Sequence, residues 1–246
     1  MATSCLTNRL QHYVVLTDRE AEFIAQMEKD ERSLTRRTPI CTAGQASGDL
    51  MLLKYGWAVV RGASLRNRRP ILRIYLAGEI IGLAEISRKE VLHSIYMQTD
   101  GAICPFPRNM VPELYRTVPR LAALLTALES SDHLRTREQL QVATRATAAE
   151  KIAYLLLSLH NRLSLAGGVE SKRFRLPFSQ AELGDVVGLT PVYINRILQD
   201  LREGHLIDYA DHHVSIPDVE QLRSQLSFTP MSTEMDTDWF PPPDTA

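Results

Sequence analysis

The chain has 246 residues, 44 % of them hydrophobic and 23 % charged, with a formal net charge of −1 and three cysteines. That length suits two domains that each bury a core; no apolar run approaches a bilayer span, and the opening residues, MATSCLTNRLQHYVVL, lack a signal-peptide core and cleavage site, so a soluble cytoplasmic protein is expected. The near-zero charge counts against a general basic nucleic-acid footprint, and Cys5, Cys41 and Cys104 form no CxxC or close pair, which excludes a local zinc or iron–sulfur spacing.

Thr17 and Glu20 have the spacing of a capping box and open a helix to about residue 28, with Phe23, Ile24 and Met27 as its apolar face. From 38 to 106 the pattern changes to short β runs at 49–61 (DLMLLKYGWAVVR), 71–76, 91–98 and 102–106. A turn lies at Ala77-Gly78-Glu79, and Asp100-Gly101 reads as a hairpin signal. Short strands with regular turns predict a small barrel or jelly roll. Arg61, Arg66, Arg68, Arg69 and Arg73 form a charge run. Such runs usually clothe a solvated hairpin; the sharper alternative is a contact surface for an anionic ligand or RNA polymerase. Cys41 and Cys104 are candidates for oxidation as thiolates, although small buried hydrophobes are the commoner fate.

Residues 109–140 read as helical, with Pro112 and Pro119 near helix starts. Leu121, Leu124, Leu125, Leu128 and Leu134 give an apolar stripe, interrupted by Ser130-Ser131-Asp132 and too broken to prove a coiled coil. Thr147 and Glu150 open a further helix with Ile152, Leu155, Leu156, Leu159 and Leu163 inward, which places a hinge at 142–146. Gly167-Gly168 ends that helix, Lys172, Arg173 and Arg175 supply local positive charge, and a strand is expected at 173–176.

The segment 174–216 is the most informative. Ser179 and Glu182 form another capping box, and Leu183, Val186 and Val187 share one face of a short helix. Gly188 supplies a bend. Thr190 caps a second helix with Pro191 at its first position, where a missing N–H costs nothing. Ile194, Ile197, Leu198 and Leu201 should face inward, and Gly204 stops the helix. Val192, Tyr193, Asn195, Arg196 and Gln199 occupy the other face, as side chains able to reach base edges and phosphates in a major groove. A ribbon follows, at 205–209 and 213–216. Two helices, a glycine turn and a wing make a winged helix-turn-helix. A last helix at 217–226 precedes 229–246, which has four acidic residues, three consecutive prolines and no basic residue, and is expected to be disordered, Trp239-Phe240-Pro241 being its one candidate docking segment.

The stretch LPFSQAELGDVVGLTPVYINRILQDLREGHLI resembles the DNA-binding domain of the Crp/Fnr family of bacterial transcription regulators, through Gln180, Leu183, Gly188-Leu189-Thr190, Asn195-Arg196, Leu198, Leu201 and Leu206-Ile207. The resemblance extends more weakly over 14–226. It implies an α+β protein: a β-roll sensor domain of jelly-roll type over 1–108, a dimerisation helix over 109–142, a winged helix-turn-helix over 143–228 and a tail over 229–246. It further implies a homodimer on palindromic double-stranded DNA, with Arg196 on a guanine and with Gln180, Thr190 and Tyr193, beside Ser179, near phosphates. Some members add an arginine and a glutamate at the start of the recognition helix; Pro191 and Val192 stand here instead, so their base preferences do not carry over.

In the sensor half, Gly78-Glu79 and Gly82 match the element that holds a cyclic nucleotide's ribose and lines its phosphate site. Nucleotide binders also carry an arginine where this chain has His93-Ser94, and a histidine cannot supply an always-charged, bidentate fork. The pocket is therefore expected to be degenerate and indifferent to cyclic AMP. With only Cys5 near the start, no iron–sulfur cluster of the Fnr type is expected, and no cofactor or metal is implied. The alternative reading is a ligand- or redox-sensing module acting through protein contacts. An enzyme finds little support, since no GxSxG, P-loop or zincin motif is present.

Overall fold

The computed structural model describes residues 4–64, 68–167, 173–226 and 234–243. The chain divides into two compact units, one made of residues 1–61, 73–132 and 234–246, the other of 62–72 and 133–233.

The first unit opens with a helix the sequence reading omitted, α1 (Cys5–Leu10), whose N-cap Ser4 accepts a hydrogen bond from the Thr7 amide. Helix α2 (Asp18–Met27) starts in the expected reciprocal Thr17–Glu20 box. Eight strands follow: β1 (Arg32–Leu34), β2 (Pro39–Cys41), β3 (Leu50–Tyr55), β4 (Ala58–Arg61), β5 (Ile71–Tyr75), β6 (Ile80–Ile81), β7 (Ser94–Met97) and β8 (Gly101–Phe106). They form two four-stranded sheets in the orders β1-β8-β3-β6 and β2-β7-β4-β5, the double-sheet roll that the short strands predicted. Leu50 and Leu52 of β3 join a cluster with Leu6, Leu10, Phe23, Ile24 and Leu121. Leu53 joins a second cluster with Val60, Tyr75 and Ile95. Leu50–Leu53 of β3 are thus covered on both faces, which explains four apolar residues in a row before Lys54.

Two strand expectations change. The run 49–61 is two strands in different sheets, β3 and β4. Asp100-Gly101 closes no hairpin: β7 pairs with β2 and β4, whereas β8 pairs with β1 and β3. Turn chemistry reports that the chain reverses, not which strand it meets afterwards.

Helices α3 (Met110–Thr117) and α4 (Pro119–Arg145) complete the first unit and lead into the second. Leu121, Leu124 and Leu125 of α4 are buried, whereas Leu134 and Leu140 are exposed. Arg120 grips the buried Glu20 carboxylate with two hydrogen bonds of 2.9 and 2.6 Å and donates a third to the Val15 carbonyl. The C-terminal segment corrects an expectation. Residues 234–243 are ordered on the first unit, where Met235 and Phe240 lie half-buried against the cluster that contains Leu10 and Leu121. Acidic, proline-rich composition hid two apolar anchors. The rest of the expected tail, 229–233 and 244–246, lies outside the described residues, as do Arg66, Gly168 and Lys172.

The second unit contains α5 (Ala148–Leu165), β9 (Arg173–Arg175), α6 (Gln180–Val187), α7 (Pro191–Glu203), β10 (Asp208–Ala210), β11 (His213–Ser215) and α8 (Val219–Ser224). The expected inward face of α5 is buried throughout, and its Thr147–Glu150 box is reciprocal. Helix α4 runs to Arg145, so the break before α5 narrows to residues 146–147. Strands β10, β11 and β9 form an antiparallel sheet in that order.

Candidate nucleic-acid interface

The interface is built on α6 and α7. The Ser179 hydroxyl accepts from the Glu182 amide, and the Ser179 backbone N–H donates to the Glu182 carboxylate, which closes the box at the start of α6. Gly188 ends α6 at φ +75°, a left-handed conformation that glycine adopts without strain. Thr190 then caps α7, accepting from the Tyr193 amide, with Pro191 at the first position. Gly184 permits the close approach inside this turn: a Cβ there would lie 2.4 Å from the Leu189 carbonyl oxygen.

Ile194, Ile197, Leu198 and Leu201 are buried, which fixes the rotation of α7. Its opposite face presents Val192, Tyr193, Asn195, Arg196 and Gln199 to solvent, Val192 being 82 % exposed. Among the described residues, Arg196 has no hydrogen-bond or ion-pair partner. Gln180 is half-buried at the first position of α6. The hydroxyls of Ser179 and Thr190 are engaged in their caps, so their first duty is to hold the two helix starts. Arg173 and Arg175 of β9 are exposed around the buried Phe174. The wing turns on Asp211 and His212, at φ +50° and +58° between the paired Ala210 and His213, as a type I′ hairpin requires.

In the sequence Arg68 is one cation of a charge run. It lies in Gly62–Leu72, which belongs to the second unit. Its guanidinium meets the Asp185 carboxylate at 3.0 and 2.8 Å and donates to the Leu189 carbonyl at 3.1 Å. It therefore braces α6 and the residue before Thr190. The sequence showed the cations, not their acceptors, because Arg68 and Asp185 are 117 residues apart.

The first unit uses Arg73 of the run internally. Glu79 is 4 % exposed; its carboxylate pairs with Arg9 at 3.0 Å and lies 4.0 Å from Arg73. Arg73 also pairs with Asp132 and stacks over the Tyr75 ring at 4.2 Å. These charges line a cavity of about 20 Å³ together with Gly78, Leu83 and Leu125, room for about one water. Of the suggested pocket residues, Gly78 and Glu79 line this cavity, while Gly82, His93 and Ser94 do not. The Ser94 hydroxyl is engaged by the Ala43 amide at 3.0 Å. Arg9 was missed, although Ser4 followed by Leu6 and Leu10 at helical spacing was a readable signal for α1.

Burial pushes the Cys41 and Cys104 thiols up to about 11, opposed by the Ile95 backbone hydrogen bond at Cys41 and by Lys54 at Cys104. Burial, with Glu28 adding to it, pushes Cys5 up to about 12. All three are held as thiols at neutral pH, the less nucleophilic form. Among the described residues no cluster of three or more His, Cys, Asp or Glu side chains could hold a metal, and no helix is long and apolar enough to cross a membrane.

A Crp-like helix-turn-helix domain model matches residues 150–225, which span α5, the helix pair and the wing. The chain belongs to the Crp/Fnr family. It is 25 % identical over 205 residues to the electron transport regulator A of Shewanella oneidensis, covering 80 % of this chain and 81 % of that protein. It is 32 % identical over 166 residues to a probable transcriptional activator of Rhizobium leguminosarum bv. viciae, covering 65 % and 66 %. The structure of FixK2 from Bradyrhizobium japonicum superposes with a TM-score of 0.72 at 19 % identity, over 81 % of this chain and 98 % of that one. That Crp/Fnr fold pairs a β-rich N-terminal domain with a C-terminal helix-turn-helix, as here.

Proposed function

We propose that this Crp/Fnr protein is a cytoplasmic, homodimeric transcription regulator that reads a palindromic operator through α7 and does not respond to cyclic AMP. One observation carries the reading: α7 is locked by four buried aliphatic residues while its other face holds Asn195, Gln199 and an unengaged Arg196 in solvent. An α-helix fits the major groove, and an arginine fork there donates two hydrogen bonds to guanine, worth about 1–3 kcal/mol of discrimination. Asn195, Val192 and Gln199 tune neighbouring bases; Gln180, Tyr193 and the N-terminus of α7 hold phosphates. Exposed Leu134 and Leu140 on α4 support pairing with a second copy, since a partner helix would cover them. RNA polymerase as a partner rests on the family resemblance alone.

Indifference to cyclic AMP is supported by the filled site. Arg9 takes the carboxylate that matches the nucleotide-holding glutamate, and a cavity of about 20 Å³ is far below the several hundred Å³ of a small-molecule pocket. Binding of operator variants, one base pair changed at a time, tests the proposal. Arg196→Ala should lose discrimination at one base pair per half-site and keep the rest. Sequence preference unchanged in the variant, or cyclic AMP bound tightly in calorimetry, contradicts it.

A further inference from the structure

Helix α4 ends at Arg145 and α5 begins at Ala148, so only residues 146 and 147 join them. Both sides of this joint, 133–145 and 148–165, belong to the second unit. Each joining residue carries two soft backbone dihedrals, which leaves the angle between the helices open unless something beyond the joint fixes it. Apolar packing does little of that work here. Between 133 and 147, Val142 is buried, Arg135, Glu138 and Ala146 are half-buried, and every other residue is exposed. Those four recur at the spacing of one inward helical stripe. Tyr154 of α5 reaches this stripe: its ring is buried, and its hydroxyl donates to the Glu138 carboxylate at 3.2 Å, across 16 residues of chain. Burial, with Glu138 adding to it, holds the phenol well above its ordinary range against the opposing pull of Arg135 and Arg162, so the hydroxyl stays a donor at neutral pH. A hydrogen bond to an ionised carboxylate is strong and directional, whereas an aliphatic contact has no preferred direction.

We propose that the Tyr154–Glu138 hydrogen bond is a strut that fixes the angle between α4 and α5 and thereby selects the spacing between the two half-sites of the operator. The lengths make this effective. Glu138 lies about 12 Å along α4 from the joint, and Tyr154 lies about 10 Å along α5. A bond at those points closes the open side of a triangle, so a change of about 1 Å in its length turns the helices by roughly 5°. At the far end of α5, which has 18 residues, that turn amounts to about 2 Å. One base pair displaces a half-site by about 3.4 Å along the duplex and roughly 35° around it. Loosening the strut therefore moves a reading head by a distance comparable with one step of spacing. Both residues act through α7 and are positioning residues. The spacing role rests on the homodimeric operator reading above, in which Leu134 and Leu140 pair on this same stretch of α4; the strut itself does not.

The test uses the full-length chain and two readouts. Hydrogen exchange at the Ala146 and Lys151 amides, which donate to the Val142 and Thr147 carbonyls on either side of the joint, reports the strut without DNA. Titration of palindromic duplexes, built on the wild type's own enriched half-site and stepped one base pair at a time in spacing, reports selection. Tyr154→Phe removes only the hydroxyl. It should exchange the joint amides roughly 3- to 10-fold faster, keep protection in α7, and shrink the preference for the best spacing over its neighbours by a similar factor. Glu138→Gln keeps an acceptor and should retain the wild-type spacing preference. Glu138→Ala should match Tyr154→Phe, and the two combined should be no looser than either alone. Joint exchange unchanged in Tyr154→Phe overturns the strut. Identical spacing profiles in the wild type and Tyr154→Phe overturn the selection of spacing. A wild-type chain that binds no duplex overturns the regulator reading and the spacing role with it, while faster joint exchange in Tyr154→Phe still supports the strut.

Discussion

Gly184 shows how one missing carbon holds the reading head. Alanine in place of a helical glycine ordinarily stabilises by about 1 kcal/mol. At Gly184 the added Cβ would sit 2.4 Å from the Leu189 carbonyl oxygen, a backbone atom that cannot step aside. Overpacking of this kind costs about 1–3 kcal/mol, so the clash wins. Gly184→Ala should lower the denaturant midpoint and weaken operator binding, whereas an unchanged or raised midpoint would show that the turn can open. Arg68 acts at the same scale: its three contacts with Asp185 and Leu189 make it a positioning residue for the turn. The solvent-facing residues Val192, Tyr193, Asn195, Arg196 and Gln199 were readable because helical spacing alone separates them from Ile194, Ile197 and Leu198. Arg9 and Arg68 were not readable as functional, because the partner of each lies far along the chain, at Glu79 and Asp185.

At the scale of elements, caps and periodicity carried the sequence reading. Three reciprocal capping boxes stand where Thr17, Thr147 and Ser179 placed them. Ser179→Ala should destabilise the second unit by about 1 kcal/mol, measured by chemical denaturation. Strand partners were not legible, since Asp100-Gly101 fixes a turn while the sheet each strand enters depends on pairing across the roll. The Glu20–Arg120 pair that joins α2 to α4 makes a pH prediction. Burial alone would raise the Glu20 carboxyl, but hydrogen bonds from Arg120 and the Thr17 amide bring it below its ordinary value. An acid depressed in the fold stabilises above its unfolded pKa, about 4.3, and that contribution is lost as pH falls through the lower folded value. The acid limb of the wild-type stability curve should therefore lie below about pH 4, and Glu20→Gln should flatten it. An identical acid limb in the variant would remove Glu20 from the account.

At the scale of the whole molecule, the order of parts was legible: roll, long helix, winged helix-turn-helix. The exception is the C-terminal segment, because composition averages over 229–246 and so conceals that Met235 and Phe240 pack against the first unit's core cluster. The near-neutral net charge fits a protein whose cations are spent locally, Arg9, Arg68, Arg73 and Arg120 all being engaged with carboxylates. Exposed Leu134 and Leu140 predict a dimer in sedimentation at micromolar concentration, converted to monomer by Leu134→Glu with Leu140→Glu. A wild-type monomer would contradict the paired-helix arrangement.

The most direct test is capture of genomic DNA fragments by the purified full-length protein at physiological salt with no effector added, with Arg196→Ala in parallel. The account predicts enriched palindromic sites for the wild type and, in the variant, loss of preference at one base pair of each half-site. Sites enriched equally by both chains, or no enrichment by a folded wild-type dimer, would contradict it.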